Sequence, residues 1–224
     1  AKNVLVLIPG TFAGSGDFGI VAKTLVQQVP NLQVWAIDRR SNAPEDTSYM
    51  VTALKGEGTG QEMFDYYIGY LGNQSITPHY QPVADSEVQF AKKWGLKNAM
   101  EDTRRVVLAA KKGGRKVILG GHSLGASVAV AYAAWDFAGR PGYKDLDGVV
   151  LIDGGLRGSF DTAGFGDARK RLADIRKKPF LDLLGLGLPG VPGVLAESAA
   201  VLAIKDPTGP SVGQDFPLRP AVLT

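Results

Sequence analysis

Four short, unbroken apolar runs, spaced so that a helical pattern fits between each pair, constrain the fold of this chain more than any other feature. Val4-Leu5-Val6-Leu7-Ile8 is closed by Pro9-Gly10. Residues 33–37 (Gln-Val-Trp-Ala-Ile), 116–119 (Lys-Val-Ile-Leu) and 148–152 (Gly-Val-Val-Leu-Ile) share its β-branched character, and each is followed by Asp or Gly. A continuous apolar run is what a strand covered on both faces requires. Between the runs, residues 18–29 carry apolar side chains at Ile20, Val21, Leu25 and Val29, and residues 98–112 and 123–138 are Ala-rich, with Gly113-Gly114 and Gly139 as stop signals. Strands alternating with helices imply an α/β architecture, a parallel sheet with right-handed crossovers and flanking helices.

Composition excludes several classes. Apolar residues are 45% and charged residues 21% of 224, which is globular rather than disordered or fibrous. A net charge of +3, with the basic residues dispersed, gives no reason to expect nucleic acid or a membrane surface as partner. Without any Cys there is no disulfide scaffold, Cys-ligated metal or Cys nucleophile. No uninterrupted 18-residue apolar stretch suggests a transmembrane segment. The start at Ala1, lacking a basic n-region, fits a removed export signal and a secreted or periplasmic protein, or a cytoplasmic one trimmed at a domain edge.

Residues 1–158 read as one core domain, interrupted by a long excursion over 39–97 that is rich in Gly, Tyr, Asn and Gln and offers no clear strand. Such a stretch decorates an active-site rim. Residues 159–224 read as a cap or lid: a basic helical segment to Lys178, then an apolar run, Pro179 to Ile204, broken by six Gly and Pro residues. A mobile apolar cap excludes water from a pocket. Arg169-Lys170-Arg171 and Arg176-Lys177-Lys178 read as a solvated face.

The chemistry is carried by residues 116–127, where a buried strand runs into Gly121-His122-Ser123-Leu124-Gly125 and then an Ala-rich helix. A serine on so sharp a strand-to-helix turn is held in strained backbone geometry, and the positions two residues away on each side must be small. Gly121 and Gly125 meet that need. The turn lifts the Ser123 hydroxyl over the sheet edge, and it aims the positive helix end and the Leu124 N–H at any oxyanion formed there. The alternative is an unreactive tight turn.

With Gly120-Gly121-His122-Ser123-Leu124-Gly125-Ala126-Ser127 as its most specific element, the sequence resembles the α/β-hydrolase superfamily, in particular its serine esterases and lipases, from the first strand to about Gly155. The resemblance implies an acyl-enzyme mechanism on a largely apolar or lipid-like carboxylic ester, with Ser123 as nucleophile and no cofactor or metal. It also implies a second oxyanion donor after an early strand. Pro9-Gly10-Thr11 stands there, as in some fungal lipases, so Thr11 joins Leu124 as a candidate donor; the bland reading is a strand-ending turn.

The triad of that family follows the order Ser, acid, His. Asp153 ends the run 148–152 and is one available acid; equally, it opens a turn at Gly154-Gly155 by accepting local N–H bonds. Only two histidines exist. His122 belongs to the elbow, where packing beside the serine is its usual part, and His79 lies upstream in the excursion, out of order. With four convincing strands and no His after Ser123, the chain is expected to lack the last strands of such a sheet, and the histidine is expected on a further, C-terminal segment of the same polypeptide.

Two other classes compete. Gly10, Gly14 and Gly16 after a first strand, with Asp38 after the second, also suit the NAD(P) loop of a short-chain dehydrogenase. The Tyr with Lys four residues later that such enzymes use is absent from all seven tyrosines, which leaves Asp38-Arg39-Arg40 as a polar loop. A non-catalytic binder on a hydrolase sheet is the other.

Overall fold

Strands β1 (Asn3–Ile8), β2 (Leu32–Ala36), β3 (Lys116–His122) and β4 (Gly148–Ile152) pair in parallel, in the order β2-β1-β3-β4, in the computed structural model, which describes residues 1–155, 164–177 and 199–212. All four apolar runs are therefore strands, as expected, but burial on both faces holds only for β1 and β3, the inner strands; β2 is half-buried and residues 149–152 of β4 are exposed, because both lie at the edges of the sheet. The register sets Val6 beside Trp35 and Leu119, Ile8 beside Gly121, and His122 beside Ile152. Because every strand runs the same way, their carboxyl ends share one edge of the sheet, where ligands of open α/β folds bind.

β1 is buried along its apolar length, and its alternation assigns the two layers. Val4, Val6 and Ile8 join Val117 and Leu119 on one face, packed with Met100, Val107 and Ala110 of α4 (Leu96–Lys111) and Ala129 and Tyr132 of α5 (Leu124–Ala134). Leu5 and Leu7 face the other way, onto Phe18 and partly buried Leu25 of α1 (Gly19–Gln28). Truncating a wholly buried Leu7 to Ala would cost about 2–5 kcal/mol.

Two helices differ from their sequence pattern. In α1, Ile20 is 84% exposed and Val21 also faces outward, as does Val29 just after the helix, because Leu25 and the preceding Phe18 supply the packing. α5 stops four residues early: Trp135 turns extended and its carbonyl accepts from the Gly142 N–H at 2.9 Å. Gly113 and Gly114 end α4 as expected, at φ +76° and +72°, where a side chain would be strained.

Two compact units separate among the described residues: 1–43 with 88–155 and 164–177, and 44–87 with 199–212. The first holds the sheet and the basic helix α6 (Phe165–Lys177), in the segment expected to be helical. The second contains α2 (Ser48–Lys55) and α3 (Gly60–Tyr67), helices the excursion's composition did not suggest. Its core is Ala53, Met63, Phe64, Tyr67, Ile68 and Val201. α3 starts at a capping box: Thr59 Oγ1 accepts from the Glu62 N–H at 3.1 Å, and Glu62 Oε2 accepts from the Thr59 N–H at 2.8 Å. Tyr66 Oη donates to Asp46 Oδ2 at 2.7 Å and Tyr67 Oη to the Asp46 carbonyl at 2.8 Å. Burial, then the Asp46 charge, pushes the Tyr67 hydroxyl up to about 12. Burial alone would raise the Asp46 carboxyl, but hydrogen bonds from Ser48 and Tyr66 outweigh it and hold the carboxyl below its ordinary value.

The apolar run Pro179 to Ile204, expected as a cap, lies outside the described residues except at its end, where residues 199–205 are helical. Among the described residues no helix is long and apolar enough to cross a membrane.

Candidate active site

Ser123 sits between the end of β3 and the start of α5 at φ +51°, ψ −116°, a region a non-glycine residue adopts only when its surroundings force it. The forcing contacts are backbone. The Ser123 N–H donates to the Ile152 carbonyl at 3.0 Å, extending the β3–β4 ladder into the turn, and its carbonyl accepts from the Ala126 and Ser127 N–H groups at 3.0 and 3.3 Å. No side-chain cap bond ties the Ser123 hydroxyl to its own helix.

The elbow glycines are required by approach distance. A Cβ on Gly121 would lie 2.2 Å from the Gly125 carbonyl carbon, and one on Gly125 would lie 1.9 Å from the Ile8 carbonyl oxygen. Neither position tolerates a side chain. Two further glycines close on the same turn. A Cβ on Gly154 would stand 2.4 Å from the Ser123 carbonyl oxygen, and one on Gly10 would stand 3.1 Å from His122 Nδ1 and 3.4 Å from Ser123 Cβ. The loops after β1 and β4 thus press on the serine from either side.

These loops and the elbow enclose an open cleft of about 410 Å³, lined by Thr11, Ser123, Leu124, Ser127, Asp153, Gly154 and Gly155. Thr11 and Leu124, the expected oxyanion donors, both line it. The first N–H groups of α5 have no carbonyl one turn earlier in the helix and carry its positive dipole end. Asp153 is exposed at φ +43°, a conformation Asp tolerates well in turns, and lies on the rim of the same cleft. Ser127, which the sequence argument included in the elbow motif without giving it a role, donates from Oγ to the Gly155 carbonyl at 2.6 Å and ties the Asp153 loop to α5.

The histidines sit differently. His122 ends β3 with an exposed side chain. His79 belongs to the other unit, stacked on Tyr70 with ring centroids 4.3 Å apart, its Nδ1 paired with the Tyr80 carbonyl at 2.9 Å. Among the described residues no hydrogen bond joins either ring to Ser123.

Asp38-Arg39-Arg40 is a brace rather than an idle polar loop. Asp38 accepts from the Ser15 N–H at 2.7 Å and the Ser15 hydroxyl at 3.0 Å. Arg40 grips both oxygens of Asp102 at 2.6 Å. The Arg39 guanidinium donates to the carbonyls of Pro9 at 2.7 Å, Gly10 at 2.6 Å and Ala13 at 3.3 Å. Sequence reasoning missed these roles; their one visible signal was three charged residues directly after an apolar run.

A second hollow, of about 280 Å³, lies in the other unit beside Tyr49, Thr52, Glu57 and Glu62. Glu62 there is committed to capping α3. Among the described residues no His, Cys, Asp and Glu cluster is placed to hold a metal.

Against known families, residues 5–223 match the model described as the alpha/beta hydrolase family, and the chain belongs to that family. Four parallel strands flanked by helices, with a serine at the β3–α5 turn, are the corresponding architecture. The dinucleotide reading of Gly10, Gly14 and Gly16 lapses with that membership, and Asp38 is engaged by Ser15. No curated protein sequence matches the chain. Among solved structures, a candidate lipase from Sulfolobus solfataricus is similar at 16% identity with a TM-score of 0.37, covering 94% of this chain. The chain spans 61% of that structure's length.

Proposed function

We propose that this member of the alpha/beta hydrolase family is a serine esterase or lipase that cleaves a largely apolar carboxylic ester. Ser123 Oγ attacks the ester carbonyl, the Thr11 and Leu124 N–H groups receive the developing oxyanion, the alcohol leaves, and water then hydrolyses the acyl-enzyme. Asp153 is the candidate acid. Since neither histidine of this chain is bonded to Ser123, the base is assigned to a histidine on a further segment of the polypeptide. Residues 159–224 are assigned the role of a cap over the acyl pocket, in a secreted or periplasmic protein.

The observation that carries this reading is the positive-φ Ser123, uncapped and with Gly10 and Gly154 packed against it, on a cleft it shares with Thr11 and Leu124. Steady-state hydrolysis of p-nitrophenyl esters by the intact protein tests it. Ser123→Ala should fold normally and lose turnover. Retention of more than a small fraction of wild-type kcat would reject Ser123 as nucleophile.

A further inference from the structure

We propose that Arg39 is a positioning residue of the oxyanion site, holding the Pro9–Ala13 loop from behind so that the Thr11 N–H faces the reacting carbonyl. This rests on the esterase reading above and deepens it.

The loop leaves β1 at Ile8 and is strained. Phe12 stands at φ +62°, a region bulky residues rarely enter, and the residue is 39% exposed. Such a conformation persists only when its surroundings over-determine it. Within the loop, the turn bond from the Ala13 N–H to the Gly10 carbonyl is long, at 3.4 Å. The strong contacts come from one side chain. Arg39 Nη1 takes the Pro9 carbonyl and Nη2 takes those of Gly10 and Ala13. The planar guanidinium fork holds the three carbonyls along fixed N–H directions; a lysine ammonium has three donors but no such fork, and its point charge orients the loop less strictly.

The peptide plane converts this clamp into an aim. The Gly10–Thr11 bond is trans, so the Thr11 N–H points opposite to the Gly10 carbonyl. With that carbonyl drawn to Arg39, the Thr11 N–H is turned away from Arg39, and Thr11 lines the Ser123 cleft. The guanidinium also polarises the peptide, strengthening the donor at its far end. It offsets the negative potential that three converging carbonyls would otherwise place beside a developing oxyanion.

Arg39→Ala and Arg39→Lys in the intact protein test the proposal, with Arg40→Gln as control, since Arg40 binds Asp102 and not the loop. Removing the clamp should lower kcat for a p-nitrophenyl ester on the order of 10²-fold, as for a misplaced oxyanion donor, with KM unchanged. Arg39→Lys should fall between that and wild type, and Arg40→Gln should keep wild-type kcat. Added methylguanidinium, below denaturing concentration, should partly restore Arg39→Ala and leave wild type unaffected. A merely structural arginine would move melting temperature without this kcat-specific loss or rescue. An active wild type matched by Arg39→Lys and Arg39→Ala refutes the inference alone. Failure of both variants to fold, or loss that appears in KM with no rescue, makes Arg39 a folding or binding residue and also overturns it. A wild type that neither hydrolyses ester nor reacts with a fluorophosphonate refutes the esterase reading, and the inference falls with it.

Discussion

At the residue scale, the site is defined by places where one atom too many cannot be accommodated. The Gly125 position has the Ile8 and Pro9 carbonyls within 2.8 Å of any added Cβ, all of them backbone that cannot rotate aside. Gly125→Ala should therefore cost more than about 3 kcal/mol or abolish folding, the upper end of overpacking penalties. Gly16, with no atom within 4 Å of its Cβ position, is the contrast: Gly16→Ala should stay within about 0.5 kcal/mol of wild type. Chemical denaturation of both variants checks the pair, and equal destabilisation would contradict the packing described. Gly121 was legible in sequence because the contact that demands it, with Gly125 and Ala126, is made within the motif itself, and Gly125 was legible from the Gly-x-Ser-x-Gly spacing although the atoms that crowd it belong to Ile8 and Pro9. Gly154 and Arg39 were not, since their partners lie about 30 positions away and no local pattern encodes a contact at that range.

At the element scale, strands were readable where helices were less so. A strand in the middle of a parallel sheet must be apolar on both faces, so β1 and β3 announce themselves as continuous runs. α3 carries one signal in its sequence, the Thr59 to Glu62 spacing of a capping box, but its Gly- and Tyr-rich setting lacks the clean 3.6 period that would mark a helix. What secures that region is also electrostatic. Tyr66 and Ser48 favour the ionised form of Asp46, and its carboxyl is depressed in the folded state. The linked stability is then fully present above the unfolded carboxyl value of about 3.9, and is lost as pH falls through the lower folded value. Asp46→Asn should lower the melting temperature at neutral pH, and the gap from wild type should close as the solution becomes more acidic than that value. Thermal melts across that range decide it; a gap that persists or widens in acid would show that the Asp46 charge contributes nothing.

At the scale of the whole molecule, four parallel strands bring the loops after β1, β2, β3 and β4 to one edge, and these loops contribute Thr11, Arg39, Ser123 and Asp153. The α/β class and the place of the serine could be inferred from the sequence because both follow from runs and motifs under a dozen residues long. The joining of residues 44–87 with 199–212 could not, since it depends on packing across more than a hundred positions, such as Val201 against the core of α3. The central claim, that the strained serine is a working nucleophile, has one most direct measurement: mass-spectrometric peptide mapping of the intact protein after reaction with a fluorophosphonate. A single stoichiometric adduct on Ser123, absent from Ser123→Ala, is the expected result. An adduct on another residue, or none at all, would contradict it.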